Sequence, residues 1–135
     1  MSGFGCSSRP LIAIVGPCAA GKRTLAHGLR ARGYNARRVL QEHSYVPDMW
    51  RRITRPDLLI YLDASLETIR RRRAQPDWPE WMLELEVGRL SHARACCDLY
   101  LKTDELTIPQ VLERVLDWLG AQGVVGQQPS CFDSG

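Results

Sequence analysis

The chain has 135 residues, 18 Lys and Arg against 15 Asp and Glu, and a net charge of +3. That length suits one domain with a core of its own, and an ordinary apolar content with no run of about 18 apolar residues argues against a membrane span. The cysteines, Cys6, Cys18, Cys96, Cys97 and Cys131, are odd in number and show no Cys-x-x-Cys spacing, so neither a disulfide framework nor a zinc module is indicated and a reducing, cytoplasmic setting is expected.

Residues 1–10 carry no apolar stretch of a signal peptide and are expected to be a flexible start. Leu11–Val15 is a continuous apolar run, read as a buried strand. Gly16-Pro17-Cys18-Ala19-Ala20-Gly21-Lys22-Arg23-Thr24 follows it, and a helix is expected from Lys22 to about Arg32, ended by Gly33. A strand, a glycine-bounded loop with Gly-Lys, and a helix form the context of a phosphate-binding loop. Its backbone N–H groups and the helix N-terminus attract an anion, and Lys22 adds a point charge. Lys22 and Lys102 are the only lysines in a chain rich in arginine. Arg23 stands where such loops usually place the hydroxyl that holds Mg²⁺, and the hydroxyl comes one residue later at Thr24. Cys18 reads either as a reactive thiolate in an electropositive loop or, more simply, as a small residue that fits the turn.

Ala36–Gln41 is expected to form a second strand, with Glu42 and His43 just beyond it. Tyr45 and Trp50 read either as rings that stack on a substrate or as plugs beneath a short loop. Asp57–Asp63 contains the buried-strand run Leu58-Leu59-Ile60-Tyr61-Leu62. Asp63 at its end suits either a water-mediated Mg²⁺ contact or a cap on the next helix. A helix from Ser65 to about Ala74 carries Arg70, Arg71, Arg72 and Arg73, which span a full turn and cannot all face one ligand. Pro76 and Pro79 break the chain, and a helix from Trp81 to about Ala95 is expected with Met82, Leu85, Leu90 and Ala93 near one side. Leu99–Leu101 reads as a short strand ending near Thr103. A last amphipathic helix starts at Pro109 and carries Val111, Leu112, Val115, Leu116 and Leu119. Residues 11–120 thus form the domain, and 121–135 a flexible tail. Alternating strands and helices predict an α/β fold with a short, mostly parallel sheet and helices on both faces, with ligands at the carboxyl ends of the strands.

Three stretches resemble small P-loop kinases of the nucleoside, nucleotide and shikimate kinase type. They are Ile14 to Leu25, the run Pro56-Asp57-Leu58-Leu59-Ile60-Tyr61-Leu62-Asp63-Ala64-Ser65, and Cys97 to Thr107. The resemblance implies a three-layer P-loop NTPase fold, ATP with Mg²⁺, and phosphoryl transfer to a small-molecule acceptor. It implies that Gly16, Pro17, Cys18, Ala19, Ala20, Gly21, Lys22 and Arg23 cradle the phosphates and that Thr24 touches the α-phosphate. It also implies that Thr103 borders the nucleotide base, Glu42 is the base toward the acceptor and Arg72 is the lid arginine; in these kinases the Asp at the place of Asp63 is not always the metal residue. His43 stands where the kinases have Pro after that Glu. The kinases also place a substrate domain and a further strand before the Asp-bearing strand, and here only 42–55 fills that interval. The competing expectation is a non-catalytic nucleotide-binding module, a sensor or regulatory subunit; among partners, a homo-oligomer or a partner subunit is allowed for. A GTPase Asn-Lys-x-Asp motif and a dinucleotide Gly-x-Gly-x-x-Gly are absent. Nucleic acid is the least favoured partner, because the net charge is modest.

Overall fold

The computed structural model describes residues 9–124 and 126. The expected flexible ends fall largely outside these residues. The chain alternates β1 (Leu11–Val15), α1 (Lys22–Ala31), β2 (Asn35–Arg38), α2 (Met49–Thr54), β3 (Leu58–Asp63), α3 (Leu66–Arg73), α4 (Glu80–Arg89), α5 (Ser91–Cys96), β4 (Leu99–Lys102) and α6 (Ile108–Ala121). Among the described residues the strands form one sheet in the order β2-β1-β3-β4. Every pairing is parallel, with Ile14 opposite Arg38 on one side and Ile60 on the other. The α/β class and the parallel sheet are therefore as expected.

Side chains alternate across a strand, so β1 and β3 supply two cores. Ile12, Ile14, Ile60 and Leu62 pack with Leu25 and Leu29 of α1, Ile69 of α3, and Val115 and Leu119 of α6. Ala13, Val15, Leu59 and Tyr61 pack on the opposite face with Trp50 of α2 and with Leu90 and Ala93. Connections leave β1 toward β2 on one side and reach β3 on the other. This reversal opens a crevice at the carboxyl ends of β1 and β3.

Several boundaries differ from expectation. β2 stops at Arg38, because the chain turns at Leu40 (φ −87°, ψ 53°) into a 3-10 turn over Gln41–His43. Gln41 is fully buried and holds that turn against its surroundings: its side chain accepts from Trp50 N–H (2.8 Å) and donates to Val46 O (2.8 Å) and Arg89 O (3.3 Å). The interval 42–55 contains α2 but no strand, so β2 lies directly beside β1. The helix expected over 81–95 is interrupted at Leu90, which joins α4 to α5. Leu85 is 41% exposed rather than turned inward.

Candidate functional site

The loop after β1 begins where a side chain cannot fit. A Cβ on Gly16 would collide with the backbone carbonyl of Leu62 in β3, so only glycine lets the loop lie against the sheet. The loop then turns through Ala19 (φ 61°) and Gly21 (φ 101°), both in the left-handed region. The Leu25 N–H bonds Gly21 O at 3.0 Å to open α1. The amides ahead of it have no helical acceptor and stand at the positive end of the helix dipole.

Lys22 is 6% exposed and folds back over this loop. Its Nζ donates to Gly16 O (2.7 Å) and Pro17 O (2.9 Å) and pairs with Glu42 Oε2 at 2.9 Å. Glu42 is 1% exposed, and its Oε1 is buried with no hydrogen-bond partner. His43 Nε2 lies 3.8 Å from Glu42 Oε2, on a side chain that is 54% exposed. The structure thus brings the candidate residues Lys22 and Glu42 together.

Arg72 and Thr103 also meet at the loop. Arg72 Nη1 donates to Ala19 O (2.8 Å) and Thr103 Oγ1 (3.0 Å), and its Nη2 donates to Thr103 O (2.7 Å). Thr103 is 1% exposed, with its hydroxyl 3.2 Å from Ala20 O and 3.1 Å from Asp63 O. Together they clamp the loop to the ends of β3 and β4. Of the four-arginine run, Arg70 caps Trp78 O at 2.7 Å, Arg73 lies over the Trp78 ring, and Arg72 alone reaches the loop.

Asp63 is placed differently. Its carboxylate accepts from Ala64 N–H (2.9 Å) and from the Tyr100 hydroxyl. Burial and the Asp63 hydrogen bond push the Tyr100 phenol up to about 12. Asp63 does not cap the next helix: Ser65 does, its hydroxyl accepting from Thr68 N–H, and neither partner of the Asp63 carboxylate belongs to the loop. Arg23 and Thr24 are exposed on α1. A Mg²⁺ ion takes oxygen ligands, and this donor set does not fit one held jointly by Asp63 and a hydroxyl at position 23.

The carboxylate that sequence reasoning missed is Glu86 of α4. It is 1% exposed, and its Oε1 accepts from Cys18 N–H at 2.9 Å. Burial first, then the hydrogen bond to Glu86, push the Cys18 thiol up to about 11. Burial and the neighbouring carboxylates together outweigh Lys22, so this arrangement favours the neutral thiol and the reading of Cys18 as a small residue that fits the turn. Trp50 is a core plug, 6% exposed, and donates its Nε1–H to His92 Nδ1 at 3.3 Å. Tyr45 is 85% exposed, under the Arg89 guanidinium at 4.4 Å.

A cleft of about 770 Å³ runs from the loop along α1 to the start of α6. Lys22, Thr24, Arg72 and Thr103 line one end; Leu106, Ile108, Val111 and Leu112 give the other an apolar wall. Cations and loop amides beside apolar side chains suit a ligand that is anionic in one part and apolar in another. No helix of the described residues is long and apolar enough to cross a membrane. No protein-family model matches the chain, and no curated protein does either.

Proposed function

We propose that this chain is a small cytoplasmic P-loop kinase, which binds ATP in the cleft and transfers its γ-phosphoryl group to a small hydroxyl- or phosphate-bearing acceptor. The buried Lys22–Glu42 pair at 2.9 Å carries the reading. It sets the cation suited to the β and γ phosphates beside the carboxylate suited to the acceptor's proton. The unmatched Oε1 of Glu42 supports it, because a buried orphan acceptor is costly in a merely structural carboxylate.

The roles follow from the contacts. The loop amides and the α1 N-terminus hold phosphate oxygens. Lys22 leaves Glu42 and turns to the phosphate chain, as a lysine does on its flexible stem. Glu42, released, takes the proton of an acceptor hydroxyl. Arg72 keeps the loop wall in place through Ala19 O and adds positive charge to the cleft. Bound nucleotide supplies the transferable group, and with it any Mg²⁺ on its own oxygens.

Calorimetric titration with ATP, with and without Mg²⁺, tests the binding step. Saturable binding that Lys22→Ala abolishes is expected; no binding by the unaltered protein would end the kinase reading. A screen of small hydroxyl compounds for ATP-dependent phosphorylation then tests the transfer. Glu42→Gln is expected to lower kcat by about 10²- to 10⁴-fold.

A second reading, a nucleotide sensor without catalysis, is favoured by Arg23 at the usual metal-hydroxyl position and by Asp63 bonding away from the loop. ATP binding indifferent to Mg²⁺, with no acceptor phosphorylated, would select it.

A further inference from the structure

Beside the loop stands a set of three side-chain donors, one of them the proposed base. Cys18 Sγ, a Glu42 carboxylate oxygen and a His43 ring nitrogen lie within 4.8 Å of one another. Sulfur, imidazole and carboxylate together are the ligand types of a borderline-soft divalent cation, not of Mg²⁺. Glu42 is 1% exposed; its Oε2 pairs with Lys22 and stands 3.8 Å from His43 Nε2, while its Oε1 is buried with no partner, so the carboxylate has capacity left for a further cation. Glu86, hydrogen-bonded to Cys18, offsets the charge of Lys22, so a second cation here is not left facing an unopposed ammonium. His43 Nε2 and Glu42 Oε2, 3.8 Å apart, are already near the spacing of two bound ligands, and no separation in the set exceeds that spacing by more than about 1 Å, judged against metal–ligand bonds of about 2.0–2.3 Å. The exposed His43 and the half-buried Cys18 can close that gap by side-chain rotation.

We propose that Cys18, Glu42 and His43 form a zinc site that straps the glycine-bounded loop to the 3-10 turn over Gln41–His43. As the metal–sulfur bond forms, the thiol proton leaves to solvent. Three protein ligands leave one position of a tetrahedral ion for water. Occupancy takes Glu42 and ties Cys18 in place. On the kinase reading above, on which this consequence rests, the bound metal switches the enzyme off.

The site itself is tested without nucleotide. The protein carries other thiols, and Cys96 Sγ lies 3.8 Å from His92 Nε2, a second place where a metal could settle. The test therefore uses the full chain with Cys6, Cys96, Cys97 and Cys131 replaced by serine, so that Cys18 is the sole thiol. Cobalt(II) titrated into this protein is expected to give a near-ultraviolet thiolate-to-cobalt charge-transfer band, and Zn²⁺ is expected to displace it. His43→Ala, on an exposed side chain that folding does not need, should weaken the metal by at least about 10- to 100-fold. Cys18→Ser should abolish the band. Absence of the band, or a band of equal affinity in His43→Ala, overturns the proposal and leaves the ATP titration untouched.

Discussion

Lys22 spends its donors inside the protein, on Gly16 O, Pro17 O and Glu42 Oε2. Removing one side of a buried pair strands the other charge, which costs about 3–5 kcal/mol. Lys22→Met should therefore destabilise the fold by about that much in urea denaturation, and Lys22→Met with Glu42→Leu should recover most of the loss. Recovery of nothing would mean that Lys22 acts through its carbonyl contacts alone. Asp104 gives a different kind of test. Burial works against its ionisation, but hydrogen bonds from Thr68 and Ser65 win and hold the carboxyl at about 2, below the ordinary value of 3.8. Ser65 N–H donates to its Oδ1 at 2.7 Å. A depressed folded value gives stability that is present above the unfolded value and lost as pH falls through the folded one. The stability gap between the protein and Asp104→Asn should be constant above about pH 5 and close as pH falls toward 2. A gap that does not change with pH would refute this.

The helices depend on their ends. α6 starts with a capping box: the Thr107 hydroxyl accepts from Gln110 N–H at 3.3 Å, and Gln110 Oε1 accepts from Thr107 N–H at 2.9 Å. Thr107→Ala should cost about 1 kcal/mol. α3 ends at Ala74, whose φ of 56° is strained for alanine. Glycine there relieves roughly 1–2 kcal/mol of backbone strain and gives back part of it in unfolded-chain entropy. Ala74→Gly should stabilise the fold by a net of roughly 0.5–1 kcal/mol, read as a raised Tm. At this scale the sequence was most legible where apolar runs were continuous, as in Leu11–Val15 and Leu58–Asp63, because a strand buried on both faces has nothing else to be. α4 resisted reading because Glu80, Glu84 and Glu86 look alike in sequence. Only the stripe Met82, Glu86, Leu90, Ala93 marks Glu86 as the one turned inward, and choosing Leu85 for that stripe hid it. The turn over Gln41–His43 and α2 were equally hidden. What makes them is the buried Gln41 side chain, bonded to residues as distant as Arg89.

For the whole molecule, stability should fall off from the middle of the sheet outward. β1 and β3 are paired on both sides and buried in both cores, whereas β2 and β4 are edges. Amide exchange should be slowest in Ile12–Val15 and Leu59–Leu62 and fastest, among strands, in Asn35–Arg38. Equal protection in β2 would mean that an unseen partner covers that edge. The candidate site was legible to the extent that it follows from chain order, since the loops after β1 and β2 and the ends of β3 and β4 crowd one rim of a parallel sheet. Lys22, Glu42, Arg72 and Thr103 converge there for that reason. The direction in which Asp63 points was not legible, because it depends on Tyr100, 37 residues later.

The resting loop also carries its own rival for any incoming anion. Glu42 is attached to the same chain as the lysine it neutralises, so it competes at a fixed, high local concentration that dilution cannot lower. Every affinity measured at this loop is thus a difference between what the ligand offers Lys22 and what Glu42 already provides. Inorganic phosphate, with one anionic centre to offer, should bind poorly, while a polyphosphate that also collects the loop amides can win the exchange. On the kinase reading, Glu42→Gln should then bind ATP more tightly than the unaltered protein while transferring its phosphate more slowly.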